Sequence, residues 1–228
     1  MIHLITRRLT LAIFATLFFH NCASTIGEIV DNEYLAPSGE FTCNVPKLQG
    51  LKVRDSYSPN DGSVSFESDE GNLYSIIYWR LQPKASQMTA DPVTRLPFYL
   101  SFFREFIMPN MFYSLSPDIR TLHQEILTLD EQQLVFAVLE MNQAYRFLDP
   151  NQSDIQLETA EDDGEQEGEQ YIIRSVAVFH HGEYMYLLSD QYTFTRFEAR
   201  DWNPPSPLAL KSRINSITRF WERITFND

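Results

Sequence analysis

The chain has 228 residues, and its 31 acidic against 18 basic residues give a formal net charge of -13. With 43% hydrophobic and 14% aromatic residues there is enough apolar material for a folded core, while the mean hydropathy of -0.28 excludes a polytopic membrane protein. Two cysteines exclude a disulfide framework. A pI near 4.8 without a Lys/Arg cluster sets nucleic acid aside as a partner.

The first 24 residues have the layout of a signal peptide. The pair Arg7-Arg8 precedes an uncharged run of eleven residues, LTLAIFATLFF at 9–19. This run is shorter than the roughly 20 apolar residues that a membrane-spanning helix needs. We therefore predict an exported protein that is held at the bacterial cell envelope, in the periplasm or at the outer membrane, with secretion as a soluble protein as the alternative.

The role of Cys22 decides between a lipid-anchored protein and an ordinarily cleaved one. It follows the apolar run and precedes two small residues, as the lipid-modified cysteine of a bacterial lipoprotein does. The preceding FHN at 19–21 departs from the usual lipobox, in which Leu and a small residue are followed by Gly or Ala. We assign Cys22 as the lipid attachment site and the membrane anchor. Cleavage after Ser24 or Gly27, or an uncleaved anchor, remain the alternatives.

The composition then indicates a tether over residues 25–38 and one globular domain over residues 39–228. Runs of alternating or β-branched and aromatic residues, bounded by Gly, Pro, Asn and Asp, predict the strands of this domain. These strands are predicted at 40–46, 51–58, 63–68, 73–81, 119–129, 134–148, 171–180 and 183–190. The segment LYSIIYWRL at 73–81 is apolar on both parities, which predicts a central strand covered on both faces.

Two amphipathic helices are predicted from apolar residues at helical spacing. The first has Pro97 in its first turn and is stopped by Pro109. Its apolar positions are Leu96, Tyr99, Leu100, Phe103, Phe106 and Ile107. The second opens at Pro207 with Ser206 as N-cap. Its apolar face is predicted to comprise Leu210, Ile214, Ile217, Trp221 and Ile224.

Aromatic residues are dense around the first helix. They are Phe98, Phe102, Phe103, Phe106, Phe112 and Tyr113. We interpret them as core and helix-edge residues. A groove for a lipid or another apolar ligand is the alternative, since a sequence does not distinguish a filled interior from an open one.

Residues 149–170 differ in composition from the rest of the chain. They carry nine acidic residues, no basic ones and hardly any large apolar side chains, which predicts a disordered insertion between two strands. Calcium binding is the alternative. The EDDGE segment at 161–165 lacks the alternating ligand spacing of an EF-hand loop, so we favour a solvated insertion.

No catalytic or metal-binding motif occurs in the chain. G-x-S-x-G, H-E-x-x-H, C-x-x-C, P-loop and dinucleotide patterns are all missing, and we assign no catalytic residue, no metal and no cofactor. His123 falls in a predicted strand, where it lies at the surface or in an interface. His180-His181 lead into Gly182 as the end of a hairpin, so we predict structural roles for these two. A zinc site would need a further ligand such as Glu183 or Asp190.

A hydrolase would have to combine His180 or His181 with Ser175 or Ser189. No neighbouring feature orients such a base or supplies an oxyanion hole. Cys43 is predicted to be a buried strand thiol, because its flanks offer no base that would activate it.

Five segments together resemble the PsbP-like fold family. They are GEFTCNVP at 39–46, VSFES at 64–68, LYSIIYWRL at 73–81, HGEYMYL at 181–187 and RFWERITF at 219–226. The resemblance spans most of residues 39–226 and implies an α+β fold, in which an antiparallel β-sheet is flanked by two or more α-helices. It also implies a non-catalytic accessory or protein-binding module, and no site residue of the family transfers to this chain.

These observations lead to one functional interpretation and two alternatives. We predict an exported, lipid-anchored, non-enzymatic domain that binds a protein at the cell envelope. A carrier of an apolar small molecule is the first alternative and would need a cavity of roughly 300 to 1,000 Å³. A hydrolase is the second, and the sequence makes no prediction of oligomeric state.

Overall fold

The computed structural model describes residues 27–113, 118–142, 171–194 and 205–227. The predicted signal peptide with Cys22, the acidic insertion at 149–170 and its EDDGE segment lie outside the described residues. Within those ranges the chain forms eleven strands, arranged in two antiparallel sheets, together with helices that flank the larger sheet. The predicted α+β fold class is confirmed.

The smaller sheet joins the two ends of the described chain. Its four strands have the order β1-β2-β3-β11. They are β1 (Glu28–Val30), β2 (Glu33–Leu35), β3 (Phe41–Asn44) and β11 (Ile224–Phe226). Because Ile224 pairs with Cys43, the C-terminal strand completes the sheet on the side of β3 away from β2.

Residues 28–36 belong to the fold, and the tether prediction is wrong over this stretch. β1 and β2 form a hairpin whose turn, Asp31-Asn32, has φ values of 50° and 68°, the left-handed backbone that a two-residue hairpin turn requires. Tyr34 is 2% exposed and its ring contacts Phe41 and Phe66. Each strand of this hairpin is only three residues long, which is too short for a clear alternating pattern in the sequence.

The larger sheet has seven strands in the order β4-β5-β6-β10-β9-β8-β7, and every neighbouring pair is antiparallel. They are β4 (Lys52–Tyr57), β5 (Asp61–Glu67), β6 (Leu73–Arg80), β7 (Arg120–Leu129), β8 (Gln132–Asn142), β9 (Tyr171–His181) and β10 (Tyr184–Phe194). These strands confirm the predictions made from the alternating patterns, and residues 143–148 of the strand predicted at 134–148 lie outside the described residues. β6 lies between β5 and β10, as its apolar residues on both parities predicted.

The helical segments are α1 (Pro83–Ala90), α2 (Pro92–Ser101), a π-helical segment (Phe102–Tyr113) that continues α2, and α3 (Pro207–Trp221).

The first predicted helix has the wrong bounds. α2 begins at Pro92, because Asp91 caps it by accepting a hydrogen bond from the Val93 backbone N–H at 3.0 Å. Pro97 therefore lies inside the helix, and Pro109 lies inside the π-helical segment instead of ending it. α1 was not predicted, because only one of its eight residues is buried and its sequence has no apolar period.

The second predicted helix is confirmed at its start. Ser206 accepts a hydrogen bond from the Ala209 backbone N–H at 3.1 Å. Ile224 does not lie on this helix, because α3 ends at Trp221 and the Arg223 N–H turns back to the Phe220 carbonyl. The next residues then pair with β3 as strand β11.

The larger sheet is covered on both sides. We call its side under α2 and the π-helical segment the helical face, and the side under the smaller sheet and α3 the opposite face. Tyr99 and Trp79 contact their partners on the helical face. Phe41 against Tyr78 and Phe220 against Tyr74 belong to the opposite face. The core thus has two layers, one on each side of the central strands.

Candidate functional site

The three histidines considered from the sequence do not meet. His180 lies on the helical face, where its ring is 5.9 Å from that of Tyr99. The His181 ring stacks on Phe226 on the opposite face, with the centroids 4.8 Å apart. His123 lies on the edge strand β7, and its Nε2 is 3.2 Å from the Glu125 carboxylate. These positions give no shared cleft for a metal or a catalytic base.

His180 joins β9 to helix α2. The Tyr99 hydroxyl is 2.5 Å from Nδ1 of the ring and accepts hydrogen bonds from the His180 backbone N–H at 3.3 Å and from Gln132 Nε2 at 3.4 Å. Burial, with smaller contributions from Arg95 and His181, lowers the pKa of His180 to about 4. The ring is therefore neutral at pH 7, and its Nδ1 accepts a hydrogen bond from the Tyr99 hydroxyl. This bond attaches the helical layer to the sheet.

The serines of the hydrolase hypothesis are buried apart from the histidines. Ser189 is 1% exposed, lies 2.6 Å from the Ser75 hydroxyl and accepts a hydrogen bond from Arg174 Nε at 3.2 Å. Its cross-strand neighbour is Val176, so four residues, or about 13 Å of strand, separate it from His180. Ser175 is buried on the opposite face, beside Asp190. Neither serine is placed for activation by these histidines.

A buried ion pair connects α3 to the sheet. Arg213 and Asp190 are 5% and 1% exposed, and their Nη1 and Oδ2 atoms are 3.5 Å apart. The Arg213 guanidinium also lies 4.5 Å from the centre of the Tyr192 ring. The sequence carried a signal for this pair, since Arg213 falls on the same helical stripe as the buried Ile217 and Phe220. Asp190 is therefore paired with Arg213 of α3 in this structure.

The other chemical groups named from the sequence are also in structural positions. Among the described residues, no group of three or more His, Cys, Asp or Glu side chains could hold a metal ion. Glu183 forms an exposed ion pair with Arg80 at 2.7 Å. Cys43 is fully buried in β3 as predicted, and burial raises the pKa of its thiol to about 12, which keeps it protonated and unreactive.

The aromatic residues around α2 divide into two sets. Phe103 and Phe112 are at most 1% exposed and fill the space between helix and sheet together with Ile107 and Met111, as the core prediction requires. Phe106 and Tyr113 are 39% and 46% exposed. The core prediction therefore holds for part of this set only.

One continuous group of rings reaches the surface, and we call it the aromatic ladder: Trp79, Phe98, Phe102 and Phe106. The last three follow each other at one-turn spacing, and the Phe102 and Phe106 rings stack with centroids 4.8 Å apart. Trp79, from the central strand β6, meets both of these rings edge-on at 5.7 Å. Three of the four side chains are half-buried, and Phe106 is the most exposed.

The three phenylalanines of the ladder are among the aromatic residues noted in the sequence, but the surface that they form was not predicted. Trp79 is assigned to a central strand by its pattern, and nothing local in the sequence shows that the helix leaves its ring partly open. The sequence signal for this surface is the i, i+4, i+8 spacing of Phe98, Phe102 and Phe106, which places the three rings on one stripe of the helix. The buried residues Tyr99 and Phe103 form the neighbouring stripe.

None of the helices among the described residues is long and apolar enough to cross a membrane.

Comparison with known proteins finds similar folds among solved structures. No family model matches the chain, and no curated protein matches it in sequence. The Ran-binding protein Mog1p of Saccharomyces cerevisiae is 11% identical, with a TM-score of 0.46, over 88% of this chain and 97% of Mog1p. The cyanobacterial PsbP protein (CyanoP) of Synechocystis is 11% identical, with a TM-score of 0.45, over 90% of this chain and 99% of CyanoP.

A third structure, from Bacteroides thetaiotaomicron, is 8% identical with a TM-score of 0.38, and this chain spans 48% of its length. The similar structures thus include a PsbP protein, from the fold family that the sequence resembles. At TM-scores below 0.5 these similarities carry no argument about partner, ligand or activity.

Proposed function

We propose that this protein is exported, anchored through a lipid on Cys22, and acts without catalysis by binding another protein at the cell envelope. The observation that carries the binding role is the aromatic ladder. Large aromatic rings that reach the surface contribute strongly to protein interfaces, and they bring much contact area at little cost in conformational entropy.

The surroundings of the ladder fit the same role. Arg104 and Glu105, which lie between Phe102 and Phe106 along the chain, are exposed. Protein interfaces commonly have this arrangement of an apolar centre and a charged rim. The rings are held by their contacts with one another and with Trp79 on a sheet strand, so little freedom is lost when a partner covers them.

Photo-crosslinking in isolated envelopes tests the binding role. A photoreactive amino acid is placed at position 106 or, as the control, at position 208, where Leu208 is 78% exposed on α3 and on the other side of the sheet. We expect a discrete protein adduct from position 106 and none from position 208. An excess of purified wild-type domain should suppress the adduct, whereas domain carrying Phe106→Asp should not. Equal adducts at both positions, or suppression by both domains, would contradict the role of the ladder.

The anchoring role is tested by Cys22→Ser. A diacyl or triacyl modification gives stable membrane attachment, where one chain alone would be marginal, because each buried methylene contributes about 0.8 kcal/mol. The wild-type protein should fractionate with membranes, and the variant should appear in the soluble envelope fraction or persist as a precursor. A soluble wild-type protein whose N-terminus is Thr25 or Glu28 would contradict lipid anchoring.

A further inference from the structure

The described chain begins at a fixed point on the domain. The Gly27 backbone N–H donates to Oδ2 of Asp55 at 2.5 Å, and the Tyr34 hydroxyl donates to the same oxygen at 3.0 Å. A Cβ atom on Gly27 would lie 2.4 Å from the Tyr34 hydroxyl oxygen, so this residue is held tightly against the ring. Asp55 is on β4, the edge strand of the larger sheet, which places this point at one side of the opposite face.

Little chain separates this point from Cys22. Five Cα-to-Cα steps join Cys22 to Gly27, and they span at most about 18 Å in any conformation. A domain of this size has a radius of gyration of about 16 Å, and therefore a diameter of about 40 Å. A lipid on Cys22 consequently keeps the surface around Gly27 close to the bilayer, because the connection is too short for the domain to turn over.

The surface next to Gly27 carries exposed apolar side chains. Ile29 and Val30 of β1 are 48% and 43% exposed. β1 is the outer strand of the smaller sheet, and among the described residues it pairs with β2 and with no other strand. The neighbouring Glu28 and Asp31 are exposed carboxylates, which disfavour an anionic surface.

We propose that the outer edge of the β1–β2 hairpin is a membrane-docking surface, where Ile29 and Val30, which project from opposite faces of β1, both contact the boundary between lipid headgroups and acyl chains of a zwitterionic bilayer. The proposal rests on the anchoring at Cys22 proposed above. The aromatic ladder lies on the other side of the larger sheet from this hairpin, so a bilayer at the hairpin and a protein partner at the ladder use different surfaces.

The docking can be tested without relying on acylation in the cell. The mature chain, beginning at Cys22, is coupled through that thiol to a maleimide lipid in phosphatidylcholine vesicles whose acyl chains carry bromine. Coupling is selective because the thiol of Cys43 is buried and has a pKa raised to about 12. A fluorescent amino acid is placed at position 29 or, as the control, at position 93, where Val93 is 79% exposed on α2.

We expect the bromine to quench the probe at position 29 by about twofold and to leave the probe at position 93 unchanged, as insertion to the level of the headgroup–acyl boundary requires. Val30→Asp should abolish the quenching at position 29 with an unchanged melting temperature, and phosphatidylglycerol should weaken it. Equal quenching at both positions, or none at position 29, would overturn the docking surface. Intact mass of the protein from cells reports the acylation separately: an unmodified Cys22 together with quenching at position 29 would overturn the anchor and support the docking geometry.

Discussion

Gly62 shows how a single residue determines the packing of this sheet. It lies opposite Tyr78 in the β5–β6 pairing, and a Cβ atom at position 62 would lie 2.3 Å from the Tyr78 ring. Tyr78 is 2% exposed and its ring contacts Phe41, Tyr184 and Tyr186. The tyrosine thus covers the glycine, a pairing that lets a large ring lie flat on the sheet.

Gly62→Ala is expected to destabilise the fold by about 1–3 kcal/mol, the usual cost of forcing an extra methyl group into a packed core. Urea denaturation checks this value. In a Tyr78→Val background the same substitution should cost much less, because the smaller side chain leaves space for the methyl group. Equal costs in both backgrounds would show that the ring contact is not the cause.

His180 predicts a dependence of stability on pH. Its pKa is about 4 in the folded chain, against the usual 6.5, because burial disfavours the charged ring and Arg95 and His181 add to this effect. Between these two values the unfolded chain binds a proton that the folded chain does not. The contribution of this residue is therefore fully present above pH 6.5 and is lost as the pH falls towards 4.

The melting temperature of wild type should therefore fall more steeply from pH 7 to pH 4 than that of His180→Gln, which has no ring to protonate. Tyr99→Phe tests the contact itself. It removes the hydroxyl bonded to Nδ1 and should destabilise the protein by about 1 kcal/mol at pH 7, because the half-buried ring loses its hydrogen-bond partner. Parallel pH profiles for wild type and His180→Gln would refute this explanation.

The β7–β8 hairpin turns through two residues in the left-handed conformation. Asp130 and Glu131 have φ values of 46° and 67°. The Asp130 carboxylate also accepts a hydrogen bond from Trp221 Nε1 at 3.0 Å, which attaches the turn to the end of α3. Glu131 is exposed, and as a residue other than glycine it is strained in this backbone conformation.

Glu131→Gly should stabilise the protein by about 0.5–1 kcal/mol, since Asp-Gly is a favoured sequence for a two-residue hairpin turn and glycine adopts positive φ without steric cost. Thermal denaturation should show a melting temperature about 1–4 °C higher. Glu131→Ala is the matched control: it removes the same charge, keeps the backbone strain and should give no increase. A rise with alanine as large as that with glycine would attribute the effect to charge.

The sequence predicts the elements of this fold unequally well. The long strands of the larger sheet follow from alternation and turn residues, and the cap at Ser206 marks α3. The β1–β2 hairpin is not predicted from the sequence, because its strands are three residues long and are stabilised by tertiary contacts of Tyr34. The bounds of α2 cannot be predicted locally, because Pro97 and Pro109 are typical of a helix start and a helix end. Packing against the sheet keeps the segment helical through both residues.

The candidate site is a property of the whole molecule, which is why the sequence did not show it. Phe102 and Trp79 come from different elements, and their contact depends on how α2 crosses the sheet. The separation of His180 from Ser189 likewise depends on the β9–β10 register, which sequence patterns do not specify. The sequence correctly placed the core aromatics Phe103 and Phe112 but not the surface that their neighbours form.

The acidic insertion is expected to be dispensable for folding. β8 ends and β9 begins at residues that pair with each other, Asn142 with Tyr171, so a short connection can replace the segment between them. Loop length itself costs only about 0.6 kcal/mol per doubling. Replacing residues 149–170 by a short Gly-Ser linker should leave the melting temperature nearly unchanged, with and without millimolar calcium. A drop of many degrees, or stabilisation of wild type alone by calcium, would show that this segment is a structured site.

The pairing of β11 with β3 has a consequence for how the chain is made. A polypeptide is synthesised from its N-terminus, so β3 is available long before β11, and β6 likewise waits for β10. Such distant pairings make folding slow and leave apolar strands uncovered in the meantime. Until β11 has paired, β3 has an open edge next to Cys43, a thiol that the folded protein keeps buried. The pairing of β11 thus comes late in synthesis and closes this edge of the smaller sheet.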